Sequence, residues 1–224
     1  MPADRVAAVE MATKIPRTEL RPDLFSGNVG SSAPVDDVDV ARARTYSLLA
    51  NLLAKPPNQA LLDQVAKIAG DATPLGLAWI ALADSARSAT EVAVGEEFFK
   101  VFIGVGRGEV LAYASYYLAG FLHERPLAAV RADLARLGIE RRPGVHEPED
   151  GIATLCDAMA GLIDGSYGAD AAAQDAFFEA HLRPWAARLF ADILVAPSAK
   201  FYRAVADVGR HWIDLETRAF AIAA

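Results

Sequence analysis

Apolar residues recur at intervals of three and four along most of this chain, the period of helices with one buried face. Val38, Ala41, Leu48, Leu49, Leu52 and Leu53 share such a face, and Lys55-Pro56-Pro57-Asn58 ends that helix. A second helix is expected over Gln59 to Ala69, stopped by Gly70-Asp71. Thr73-Pro74 opens a third, threonine as cap and proline at the first position, running through Trp79 and Leu82. Glu91 to Ile103 reads as a fourth, with Val94, Phe98, Phe99 and Phe102 inward. Tyr113, Tyr117 and Phe121 make an aromatic stripe at helical spacing, read first as core and otherwise as an exposed apolar groove for a partner. Leu127, Val130, Leu134 and Leu137 belong to a further helix ending at Gly138.

Glu147-Pro148-Glu149-Asp150 then reads as a helix start, with proline at the first helical position and carboxylates in the first turn. Ile152, Leu155, Cys156, Met159, Leu162 and Ile163 would form one buried face of that helix. Phe177, Phe178, Leu182 and Trp185 follow, with Pro184 expected to kink or restart the chain. The last helix buries Phe201, Val205, Val208, Trp212 and Leu215 behind an Arg210–Asp214–Arg218 polar face. The pattern predicts an all-α fold, a single-domain bundle of roughly nine or ten helices over residues 38–224. Residues 1–37, with Pro2, Pro16, Pro22 and Pro34, read as a flexible tail holding a short helical turn near Val6–Ala12.

Charge and composition narrow the function. A net charge of −7 disfavours binding to nucleic acid and suits a partner carrying positive charge. A single cysteine permits no internal disulfide and no thiolate zinc site, and suits a reducing cytoplasm. No apolar run is long enough to span a bilayer. His123, His146, His181 and His211 are scattered without metal-ligand spacing, so neither a metal nor another cofactor is expected. Cys156 lies on an apolar stripe, as a buried inert thiol would. Glu96/Glu97 and Glu149/Asp150 are adjacent pairs that diverge by about 100° on a helix, unsuited to joint acid–base work. No catalytic residues emerge.

Gly104-Val105-Gly106-Arg107-Gly108-Glu109 has the look of a phosphate loop, but lacks the Gly-Lys-Ser/Thr ending and follows no predicted strand. Gly106, Arg107 and Gly108 are its candidate nucleotide-binding residues, the basis of an alternative reading as a nucleotide-binding protein or enzyme. What remains is a binding surface. An acidic corner beside an apolar groove suits a segment with paired arginines followed by hydrophobic residues, since carboxylates accept guanidinium forks. That is the profile of a twin-arginine export leader.

Several segments, in order, are similar to the TorD/DmsD/NarJ family, cytoplasmic chaperones of molybdenum-containing reductases and dehydrogenases. Arg44–Asn58 resembles the family's first helix and the turn after it, and Glu97–Gly104 its E-x-x-x-L-F-x-G segment. Tyr113–Leu122 resembles the segment after the glycine loop, and Gln174–Trp185 the Q-x-x-F-x-x-H-L-x-x-W pattern. Phe201–Ala206 is similar to the start of the last helix, and E-P-E-D-G to the E-P-x-D-H corner, with Gly151 where the pattern has histidine.

The resemblance implies a non-catalytic chaperone that binds the leader or body of a molybdopterin-containing catalytic subunit until its cofactor is inserted. Glu147, Pro148 and Asp150 would be the client-binding corner, Asp150 foremost, with Tyr113, Tyr117 and Phe121 as the groove. Gly151 removes an imidazole from that corner, which leaves open whether the client carries a twin-arginine leader or is one without it. The glycine loop and Y-A-S-Y-Y look most like members serving formate dehydrogenase. The family also implies a monomer or a dimer formed by helix exchange, with the Pro143-Gly144 lead-in as hinge.

Overall fold

The computed structural model describes residues 24–27 and 36–223. The expected all-helical architecture is borne out by ten α-helices among the described residues, which group in two compact units. The helical turn expected near Val6–Ala12 lies outside the described residues.

The first unit takes residues 55–112 and 186–223. It contains α2 (Gln59–Val65), α3 (Pro74–Ser88), α4 (Glu91–Phe98), α9 (Ala186–Val195) and α10 (Phe201–Ala223). Thr73 caps α3 by accepting from the Gly76 amide at 3.0 Å, with Pro74 at the first position as its sequence predicts. The predicted fourth helix is α-helical only to Phe98; Phe99–Ile103 is a π-helical turn, closed by Gly104 N–H donating to Phe99 O at 2.6 Å. Phe99 is 46% exposed, against the inward expectation, because the buried face runs through Val94, Glu97, Phe98 and Val101 and leaves it to one side. Phe98 and Phe102 still pack on Tyr202, their ring centroids 5.6 and 5.1 Å from it.

α10 packs on α3 and α9. Gly209 lets α9 approach: a β-carbon there would stand 2.3 Å from the Phe190 ring. Arg218 pairs with Asp214 at 2.9 Å as expected, whereas Arg210 reaches Asp207 one turn back, also at 2.9 Å.

The second unit takes residues 24–27, 36–54 and 113–185 of the described chain. It holds α1 (Asp37–Ala54), α5 (Ala114–Ala119), α6 (Arg125–Arg136), α7 (Ile152–Ile163) and α8 (Ala171–His181). α7 packs chiefly on α1, and all of its residues are buried, not one face alone. Its polar positions are accommodated: Thr154 Oγ1 donates to Pro148 O at 3.3 Å, and Asp157 accepts from Leu24 N–H at 3.1 Å. α8 ends at His181 and α9 begins at Ala186, so Pro184 sits at a restart.

Helical periodicity also missed a two-stranded antiparallel ribbon, β1 (Phe25–Gly27) with β2 (Ile139–Arg141). Part of the stretch read as a tail is therefore a strand, registered Phe25↔Arg141, Ser26↔Glu140 and Gly27↔Ile139.

Candidate functional site

The sequence places a helix start at Pro148, but α7 begins three residues after Glu149. Gly151 is its N-cap, and Pro148 belongs to a preceding turn closed by Gly151 N–H donating to Pro148 O at 3.2 Å. The corner's carboxylates are thereby freed from α7's first turn for other partners.

Asp150 serves a different helix. Its main-chain oxygen accepts from Ala114 N–H and its Oδ2 from Ser115 N–H, both at 2.9 Å, satisfying the first two amides of α5. The side chain has no exposed surface, and Oδ1 has no hydrogen-bond partner. Ser115, also fully buried, passes the constraint on: its Oγ accepts from Glu124 N–H at 3.2 Å. That bond fixes the turn after α5, where Gly120 and His123 both take the left-handed conformation. α5 thus ends before Phe121, which stands 72% exposed with Leu118 and Leu122 also exposed. The predicted aromatic stripe is broken there, and core packing does not account for Phe121.

Tyr113 joins the corner directly. It bridges to Gly151 and its hydroxyl donates to Glu147 Oε1, while Glu147 remains exposed. Burial foremost, then the bond to Glu147 and the charges of Glu147 and Asp150, push the Tyr113 hydroxyl well above its usual range, so it remains a neutral donor. Tyr117 goes elsewhere, its ring 5.4 Å from that of the fully buried Trp185. Gly151 has an extended backbone open to any residue, and an added β-carbon would meet only ordinary contacts, the nearest at 3.4 Å. Neither conformation nor space demands glycine at that position.

Glu149, outside the client-binding set read from the sequence, is the corner's buried ion-pair member. It accepts from Arg131 Nε at 2.9 Å, with Arg141 Nε at 3.7 Å, and Arg141 also donates to Glu147 O at 3.4 Å. The corner is therefore not a bare acidic patch: Glu149 is matched by two guanidiniums, Asp150 is internal, and Glu147 is its exposed carboxylate.

The glycine loop has a local explanation. A β-carbon on Gly104 would lie 1.9 Å from Arg107 O, and one on Gly108 2.5 Å from Phe102 C. The backbone doubles back on itself, with Val110 N–H donating to Val101 O at 2.8 Å. Gly106 and Arg107 lie in this return, after a π-helical turn rather than a strand, and no helix begins directly after Gly108. Among the described residues no group of three His, Cys, Asp or Glu could hold a metal ion, and no helix is long and apolar enough to cross a membrane. Cys156 is buried, and desolvation raises its thiol far above the usual range.

His181 supports the same unit. Its Nε2 is 2.7 Å from Asp133 Oδ2, and its main-chain oxygen accepts from Trp185 Nε1 at 2.6 Å. Burial lowers the imidazole below 6.5, and the bond to Asp133 opposes this only in part. Burial also acts to raise Asp133, but His181 and Arg136 outweigh it and hold that carboxyl below 3.8. Both folded values lie under the unfolded ones, so the unfolded chain binds more protons as pH falls. Stability due to His181 is full above 6.5 and declines as pH drops through the lowered value; Asp133 adds a second loss below 3.8. Urea unfolding across the first window is expected to show this slope, and His181→Gln to flatten it. An equal slope in that variant would assign the acid sensitivity to another group.

Residues 69–191 match the model of the nitrate reductase delta subunit family. The chain is also similar to a protein described as chaperone protein TorD from Aliivibrio fischeri (strain ATCC 700601 / ES114), 26% identical over 145 residues, covering 60% of this chain and 67% of that protein.

Proposed function

The chain belongs to the nitrate reductase delta subunit family, the TorD/DmsD/NarJ group of its sequence resemblance, and from that premise we propose that it is a molybdoenzyme maturation chaperone. It binds the catalytic subunit of a molybdopterin-containing oxidoreductase in the cytoplasm and holds it during cofactor insertion, without turnover.

The observation that carries the choice of site is the chain of bonds from Asp150 through Ser115 to Glu124. It fixes in one framework the Tyr113–Glu147 pair and the exposed apolar turn of Leu118, Phe121 and Leu122. Glu147 offers the accessible carboxylate for a cationic group of the client, exchanging the Tyr113 hydroxyl for a stronger charge-assisted bond. The apolar turn takes hydrophobic client residues. Pro148 shapes the corner's turn, Tyr117 supports the site through Trp185, and Asp150 acts as a brace. The finer assignments, formate dehydrogenase as client and a recognition mode independent of a twin-arginine leader, rest on the sequence resemblance and on Gly151.

Affinity capture from the native cytoplasm tests the reading. One large molybdopterin-binding subunit is expected to be enriched, and the N-terminus of that subunit reveals whether it carries paired arginines. Glu147→Ala and Phe121→Asp are each expected to weaken capture about tenfold, roughly 1.4 kcal/mol, without changing the helical spectrum. No enriched partner in cells expressing a molybdoenzyme would overturn the function; unchanged capture by both variants would overturn the site.

A further inference from the structure

Leu24–Gly27 is held by residues remote in sequence, in the manner of a bound peptide. Ser26 and Glu140 meet across 114 positions. Besides the ladder, Arg142 N–H donates to Leu24 O at 3.0 Å and Arg142 Nε to Phe25 O at 3.1 Å. Leu24 N–H donates in turn to the carboxylate of Asp157, a fully buried residue of α7. Phe25 is inserted to 2% exposure, while Ser26 faces solvent. A strand edge reads the main chain, a buried carboxylate reads one amide, and a buried position reads one alternate side chain. Strand-addition sites recognise extended peptides by this division of labour. A two-stranded ribbon of three-residue strands is marginal by itself, so its hold comes from the receiving surface and not from a local turn.

We propose that Ile139–Arg142, Asp157 and the pocket filled by Phe25 form an extended-peptide site. The chain keeps it filled with its own Leu24–Gly27, and a partner segment with an aromatic residue at the Phe25 register takes it by exchange. The same stretch carries Arg141, which reaches Glu149 and Glu147 O, so exchange at the ribbon is transmitted to the corner. Occupancy is read with a peptide alone, which keeps its test independent of the client proposed above.

The probe is a fluorescent synthetic peptide of residues 20–30, titrated by anisotropy into the full chain. A tethered segment competes at an effective concentration of about millimolar, so the unaltered protein should take up the free peptide poorly. Phe25→Ala empties the pocket, and Ser26→Pro disrupts the ladder while leaving Phe25 in place. Both variants are expected to bind the peptide at least about tenfold more tightly than the unaltered chain. A peptide with its own phenylalanine changed to alanine should lose about tenfold or more of that binding. Should Phe25→Ala fail to fold, Ser26→Pro decides. Natively helical variants that bind no better than the unaltered chain, or that bind the altered peptide equally well, overturn the proposal.

Discussion

Glu97→Ala is expected to lower the free energy of unfolding by about 2–4 kcal/mol. The Glu97 carboxylate is buried and accepts from the amides of Lys200, Phe201 and Tyr202 at 2.8, 3.1 and 2.7 Å. These are donors at the start of the 23-residue α10, which lack carbonyl partners within their own helix. The negative charge also stands at the positive end of the helix dipole.

Each hydrogen bond to a charged group contributes roughly 1.5–3 kcal/mol, but burying the carboxylate offsets part of that sum, which sets the net figure near the cost of one or two bonds. Glu97→Gln retains one acceptor oxygen and should recover about half the loss. The tyrosine at the same helix start feels the same charge: burial first, then Glu97, holds the Tyr202 hydroxyl well above its usual range. Glu109 secures the approach to α10, accepting from Ser198 N–H at 3.0 Å and Ser198 Oγ at 2.6 Å. Urea midpoints for the two Glu97 variants check the ordering. An alanine variant as stable as the unaltered chain would show that Glu109 and solvent suffice to cap α10.

Asp150 separates a brace from a contact. Asp150→Ala leaves the Ser115 amide buried without an acceptor, a loss of about 1–3 kcal/mol, and frees the start of α5 together with the turn carrying Phe121. Client capture should then fall by about tenfold or more, although Asp150 has no exposed surface. Asp150→Asn is the discriminating variant. Its amide oxygen can still accept from Ser115, and the substitution removes a buried charge whose Oδ1 has no partner. It should be at least as stable as the unaltered protein and capture client normally. If it folds well yet loses capture, the charge itself acts on the client and the brace assignment fails.

The sequence was most legible where local rules and packing agree. Thr73-Pro74 start a helix, Gly138 follows one in the left-handed conformation, and Pro184 marks a restart, because caps and breakers act within a few residues. Cys156 was read as buried from its place on an apolar face, and it is. The grouping of Tyr113 with Glu147, Pro148 and Asp150 came from motif order, and the fold does bring those segments together. Its internal arrangement was not legible. Whether Asp150 faces inward or outward depends on α5's unsatisfied amides, supplied from 35 positions away.

Caps, periodicity, composition and motif order therefore determined an all-helical protein resembling the TorD/DmsD/NarJ family, since each is written in short stretches of residues. The tertiary structure alone decided how the helices divide into two units and that Phe99 is exposed. It also decided which corner carboxylate stays accessible and that part of the presumed tail is a strand. Each of those outcomes rests on backbone hydrogen bonds and burial between segments whose separation in sequence carries no periodic signal.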